Sequence, residues 1–185
     1  MHLQRLLIIS ATAVVVSAIL LGIYWLYYRY RLKNENRIAK INKLDHKLEE
    51  YLDSVPEQRR SKFKDLMLVK SISSAMIIVS LCFFLVGGIS SASSPQGIRS
   101  TLSDPAAQVS IFGWFLWGLS LASLYISEGA AAMATRGIVA KPIPGFTRLR
   151  FISGKEAISF GIKRILSGIV FLSVILLTTI SVLTL

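Results

Sequence analysis

The stretch Leu6–Tyr28, LLIISATAVVVSAILLGIYWLYY, runs for 23 residues without a charge and is followed at once by RYRLK. About 20 helical residues cross the roughly 30 Å of hydrocarbon in a bilayer. An uncharged run of this length is therefore long enough to span one. A removable leader has a shorter apolar stretch and a small-residue cleavage site; this run ends in bulky aromatics and arginines, which predicts an anchor that stays.

Three further runs of comparable length follow: Val69–Ser90, Val109–Ala131 and Ile165–Leu185. The whole chain of 185 residues is 53% hydrophobic and only 17% charged, with a net charge of +11. A soluble domain carries about 25% charged residues, so the deficit and the clustering of charge both predict a membrane protein. Backbone groups in lipid need internal partners, and the alternating pattern of barrel strands is absent, so the runs are predicted to be helices. The fold class read from the sequence is all-α: a four-span integral membrane protein. It divides into span 1 (1–28), a helical hairpin (29–68), span 2 (69–90), a loop (91–108), span 3 (109–133), a basic loop (134–163) and span 4 (164–185).

Orientation follows from the cations, because Lys- and Arg-rich short loops stay in the cytoplasm. Segment 29–70 holds twelve of the 21 Lys and Arg, and segment 134–164 holds seven. The remaining two are Arg5 and Arg99. Both basic segments then face the cytoplasm, giving an N-out, C-out protein of a bacterial inner membrane. Tyr24, Trp25, Tyr27 and Tyr28 at the inner end of span 1, and Trp114 and Trp117 toward the outer end of span 3, suit interfacial belts.

Between spans 1 and 2, Ile38, Ile41, Leu44, Leu48, Tyr51 and Leu52 recur at helical spacing and form one apolar stripe. Ser54-Val55-Pro56-Glu57 reads as a capping box with proline in the first turn, starting a second helix. This predicts a cytoplasmic helical hairpin. Its outward arm is about ten residues longer than its return arm, about 15 Å at helical rise. The excess makes Ile38, Ile41, Leu44, Leu48 and Leu52 a candidate docking stripe for a partner, the alternatives being packing within the hairpin or contact with the membrane surface.

In the second basic loop, Pro142, Pro144 and Gly145 forbid a continuous helix. Ser153 and Glu156 form another S-x-x-E start, placing the last helix near Gly154. Arg148, Arg150, Lys155, Lys163 and Arg164 are candidate contacts for anionic lipid head groups, with neighbouring apolar residues in the interfacial layer. In the 91–108 loop, Asp104-Pro105 reads as an N-cap followed by proline at the first helical position.

Small residues mark one face on every span, allowing close helix approach in lipid. They are Ala18-x-x-x-Gly22 in the first, Ser73, Ser80 and Gly87 in the second, Ser120 to Ala134 in the third, and Gly161 and Gly168 in the fourth. These faces suit a compact bundle, a homo-oligomer or packing against other proteins.

Glu128 is the one carboxylate within the four runs. An acid at membrane depth is costly and is a functional hypothesis by default. Close to the inner boundary it is expected either to pair with Lys70, Lys163 or Arg164, or to serve an ion or proton path. Catalytic residues, cofactor sites and metal sites are not expected: the single cysteine, Cys82, excludes a disulfide framework, and His2 and His46 are too distant to form a metal cluster. The basic charge follows from topology, and with no recognition module visible nucleic-acid binding is not expected. The sequence thus points to a non-catalytic accessory, assembly or stabilising subunit of a membrane complex. A small transporter or channel using Glu128, or a membrane immunity or exclusion protein, are the alternatives.

Overall fold

The computed structural model describes residues 2–32, 35–92, 104–140 and 149–184. Among these residues are five helices and two short strands, in chain order α1 (His2–Leu32), α2 (Glu35–Asp53), α3 (Glu57–Ala92), α4 (Pro105–Thr135), β1 (Gly137–Ala140), β2 (Arg150–Ser153) and α5 (Gly154–Thr184). Four of the helices, α1, α3, α4 and α5, are long and apolar enough to cross a membrane. The hydropathy of the sequence places them correctly, since in lipid only a helix satisfies its own backbone. Asp104 does start α4: its carboxylate accepts from the Ala106 N–H at 3.2 Å, with Pro105 in the first position.

The chain divides into two units. The first comprises Met1–Trp25, Ile72–Ala122 and Val170–Leu185. Here α3 and α4 meet backbone to backbone. A Cβ on Gly87 would lie 2.8 Å from the Ala106 carbonyl oxygen, and one on Gly113 would lie 2.7 Å from the carbonyl carbon of Phe83. Ser110 Oγ donates across this contact to the Phe84 carbonyl at 3.0 Å. Ile175 of α5 fills the notch left by Gly118 of α4. Trp114 Nε1 donates to Thr178 Oγ1 at 3.2 Å, and its ring packs at a tilt against Trp117 and Phe84. Three buried serines turn onto their own helices: Ser17 donates to Ala13, Ser80 to Met76 and Ser120 to Leu116.

Among the described side chains of α1, the buried positions are Ala13 and Ser17. Ala18 and Gly22, the small pair the sequence singles out, are exposed, and nothing lies within 4 Å of a Cβ built on Gly22.

The second unit comprises Leu26–Ser71 and Ser123–Ile169. Its core gathers Leu52 of α2, Phe63 of α3, Ala131 and Ala132 of α4, Ile138 and Ala140 of β1, Ile152 of β2, and Ala157 and Phe160 of α5. The strands pair antiparallel from Gly137 opposite Ser153 to Ala140 opposite Arg150. This sheet amends the all-α expectation. A two-stranded sheet is marginal alone; this one is held because β1 is buried against α2. No periodic run announces it, since each strand has only four residues.

Two backbone features frame the sheet. Arg136, with φ of 56°, turns the chain out of α4, and Gly154, with φ of 63°, turns it into α5. The Gly154 N–H donates to the Arg136 carbonyl at 2.8 Å, tying the two turns together. The left-handed conformation costs about 1–2 kcal/mol for a residue with a Cβ. Glycine meets that requirement at 154.

Both proposed capping boxes differ from expectation in detail. Ser54 Oγ donates back to the Tyr51 carbonyl at 2.6 Å, so it closes the end of α2 instead of capping α3. Arg60 completes this turn, donating from Nε to the Leu52 carbonyl at 3.1 Å and pairing with Asp53 at 3.1 Å. A cation at a helix C-terminus is favourable. At the start of α5, Glu156 pairs with Arg150 of β2.

Candidate functional site

The site lies in the second unit, where α3, α4 and α5 come together around Glu128. Gly129 and Gly161 make the close approach possible. A Cβ on Gly129 would lie 2.5 Å from the Gly161 carbonyl oxygen, and one on Gly161 would lie 2.7 Å from the Gly129 carbonyl oxygen. The two helices therefore touch through their backbones. Arg164, one turn beyond Gly161, is brought level with Glu128, the neighbour of Gly129.

Glu128 is 6% exposed and holds a cation on each oxygen. Lys70 Nζ donates to Oε1 at 2.7 Å, and Arg164 Nε lies 3.0 Å from Oε2. Arg164 is also buried, with its guanidinium carbon 4.8 Å from the Tyr125 ring centre and 5.0 Å from that of Phe160. A desolvated cation over an aromatic face gains about 2 kcal/mol, so two rings offset part of the cost of burying the arginine. Lys70 is less enclosed, its side chain 25% exposed. The cluster carries one negative and two positive charges, a net excess of +1 that is partly solvated through Lys70.

Tyr125 and Phe160 do not stand out in the sequence. Their signal is spacing: Tyr125 lies three residues before Glu128, and Phe160 four before Arg164, which places each on the face of its charged neighbour.

Other candidate residues are spread more widely. Arg150, Lys155 and Lys163 are exposed, whereas Arg148 lies outside the described residues. Of the α2 stripe, Leu52 is buried in the core and Leu48 packs against it. Leu44 is half-buried and Ile41 is exposed, while the side chain of Ile38 lies outside the described residues.

Tyr51, also on that stripe, makes the principal contact of α2 with the sheet. Its hydroxyl donates to the Thr135 carbonyl at 3.0 Å and lies 3.2 Å from that of Arg136, closing the end of α4. Its ring meets Phe151 edge-on at 5.4 Å and covers Gly137 so closely that a Cβ there would overlap it. Among the described residues, no three His, Cys, Asp or Glu side chains gather in a way that could hold a metal ion.

Chemically the cluster is a closed ion triad. Each oxygen of the carboxylate is occupied by a cation. Together with four helices long and apolar enough to cross a membrane, it fits a multi-pass membrane protein that carries a buried ion cluster. No family model, curated protein or solved structure matches the chain.

Proposed function

We propose that this chain is a non-catalytic accessory, assembly or stabilising subunit of a larger membrane complex. It sits in a bacterial inner membrane with both termini outside and with α2, β1 and β2 in the cytoplasm. The observation that carries this reading is the open small face of α1. Ala18 and Gly22 are exposed, and a side chain on Gly22 would touch nothing. The most apolar window of α1 is only 11% buried, against 22% to 28% for the other three spans. Small residues at four-residue spacing are the usual seat of a second helix in lipid. The Glu128 triad supports the same reading from the other side, since its charges are used to join helices.

The test places a photocrosslinking residue at position 18 or 22, with position 20, exposed on the opposite face of α1, as the control. Adducts to one defined protein, or to a second copy of this chain, from 18 and 22 but not from 20 are expected. A lone protomer with lipid adducts alone at all three positions sinks the proposal. The orientation is checked separately with single cysteines introduced at 46, 97 and 145. Cys82 is buried and stays silent to an impermeant thiol reagent. Labelling from outside is expected at 97 only.

A further inference from the structure

In the second unit α3, α4 and α5 leave a depression of about 620 Å3 on their shared surface. Its lining changes character along its length. Lys62 and Asp65, one helical turn apart on α3, form its polar end, while Leu66, Ala130, Met133 and Ile165 form its apolar part. All three helices pass between charged and apolar sequence at this level. On α3 Asp65 gives way to LMLV, on α5 Lys163-Arg164 gives way to ILSGIV, and α4 leaves its apolar run just before Arg136. A groove that spans this change lies where the head-group layer meets hydrocarbon.

Lys62 and Asp65 are both exposed. The ion pairs among the described residues are Arg60–Asp53, Lys70–Glu128, Arg150–Glu156 and Arg164–Glu128. Neither groove charge is engaged in them, so one charge of each sign faces the interface within a helical turn.

We propose that this groove binds one phospholipid with a phosphoethanolamine head group. Its phosphate sits on Lys62, its ammonium on Asp65, and an acyl chain lies along Leu66 and Ile165. The charge pattern selects this occupant. Residues at i and i+3 on a helix are side by side, with Cβ atoms about 5–6 Å apart, a span suited to a phosphate and an amine joined by two carbons. An anionic glycerol head group offers Asp65 only neutral hydroxyls in place of an ammonium, and its net negative charge is repelled by that carboxylate. A choline head group carries the positive charge but has no N–H to donate.

The test is native mass spectrometry of the purified full chain in detergent. Dioleoyl phosphatidylethanolamine, phosphatidylglycerol and phosphatidylcholine are titrated in turn. One phosphatidylethanolamine is expected to bind about ten-fold more tightly than either of the others, the worth of one charge-assisted hydrogen bond. Asp65→Asn is expected to abolish the preference for phosphatidylethanolamine over phosphatidylcholine and to improve binding of phosphatidylglycerol. Lys62→Gln is expected to weaken all three lipids about equally, again about ten-fold. Both positions are exposed, and unchanged helicity by circular dichroism verifies the fold of each variant. Equal binding of the three lipids by the parent chain, or a preference for phosphatidylglycerol, overturns the proposal without reference to any variant. Neither result bears on whether α1 seats a protein partner.

Discussion

Glu128 of α4 and Arg164 of α5 meet at 3.0 Å, with the guanidinium enclosed by the rings of Tyr125 and Phe160. Lys70 of α3 holds the second carboxylate oxygen. One acid thus ties three helices together, and its two cations would repel each other in its absence. The asymmetry decides how the cluster responds to substitution.

Glu128→Ala is expected to be the most damaging change in the cluster, costing about 3–5 kcal/mol because it strands two cations, one of them buried. Arg164→Ala leaves the Glu128–Lys70 pair intact but gives up both aromatic contacts, for about 2–3 kcal/mol. Lys70→Ala costs about 1 kcal/mol, since the lysine is partly solvated. Thermal unfolding in detergent, followed by circular dichroism, should reproduce this order. A variant at 128 as stable as the parent would remove the triad from any structural role.

Gly129→Ala and Gly161→Ala each drive a methyl group into a backbone carbonyl on the facing helix, which cannot rotate away as a side chain can. A loss of about 2–3 kcal/mol is expected for either, the usual cost of overpacking. Gly22→Ala meets empty space on α1 and should stabilise the isolated chain by about 0.5–1 kcal/mol through helix propensity. Melting temperatures of the three variants in one detergent compare these opposite signs directly.

Tyr51→Phe removes the hydroxyl that closes α4 and is expected to cost about 1 kcal/mol. Tyr51→Ala also empties the space over Gly137 and beside Phe151, for about 3–5 kcal/mol. Gly137→Ala collides with the same ring, so the double variant Tyr51→Ala with Gly137→Ala should lose less than the sum of the two single variants. Strict additivity in that cycle would show that the ring and the strand do not meet.

Proteoliposomes containing the chain should dissipate an imposed proton or potassium gradient no faster than empty vesicles, because Glu128 is already held by two cations. Glu128→Gln should leave that result unchanged. A flux that the glutamine variant abolishes would place the acid in an ion path and replace the subunit proposal.

The spans were legible because hydropathy is a property of residues in sequence. Twenty-odd apolar residues can satisfy their backbone in lipid in one way only, whatever surrounds them. Local chemistry was equally direct at Asp104-Pro105, where the determining residues are neighbours, and it placed the start of α5 at Gly154 although Glu156 there turns to Arg150. It misled at Ser54, because a serine beside a helix end can also bond back to a carbonyl three residues earlier, and here it turns to Tyr51. The strands β1 and β2 were hidden for a related reason. Each is four residues long, and their pairing across 141–149 depends on α2 burying them.

The triad lies between these cases. The sequence places Glu128, Lys70 and Arg164 at similar depth, near the ends of their apolar runs, which makes an encounter possible. It does not fix the rotation of each helix, and rotation decides whether a cation faces the acid or the lipid. Lys163 and Arg164 illustrate this: adjacent residues on α5, they point about 100° apart, so one is exposed and the other is buried on Glu128.

By itself, then, the sequence determined that this chain forms four apolar helices, because their length and composition leave the backbone no other arrangement in a bilayer. Only the tertiary structure decided which small residues touch, which cations meet Glu128 and which face of α1 stays open. Those outcomes depend on helix rotation and on the contact at Gly129 and Gly161, where helix packing is set by residues far apart in the chain.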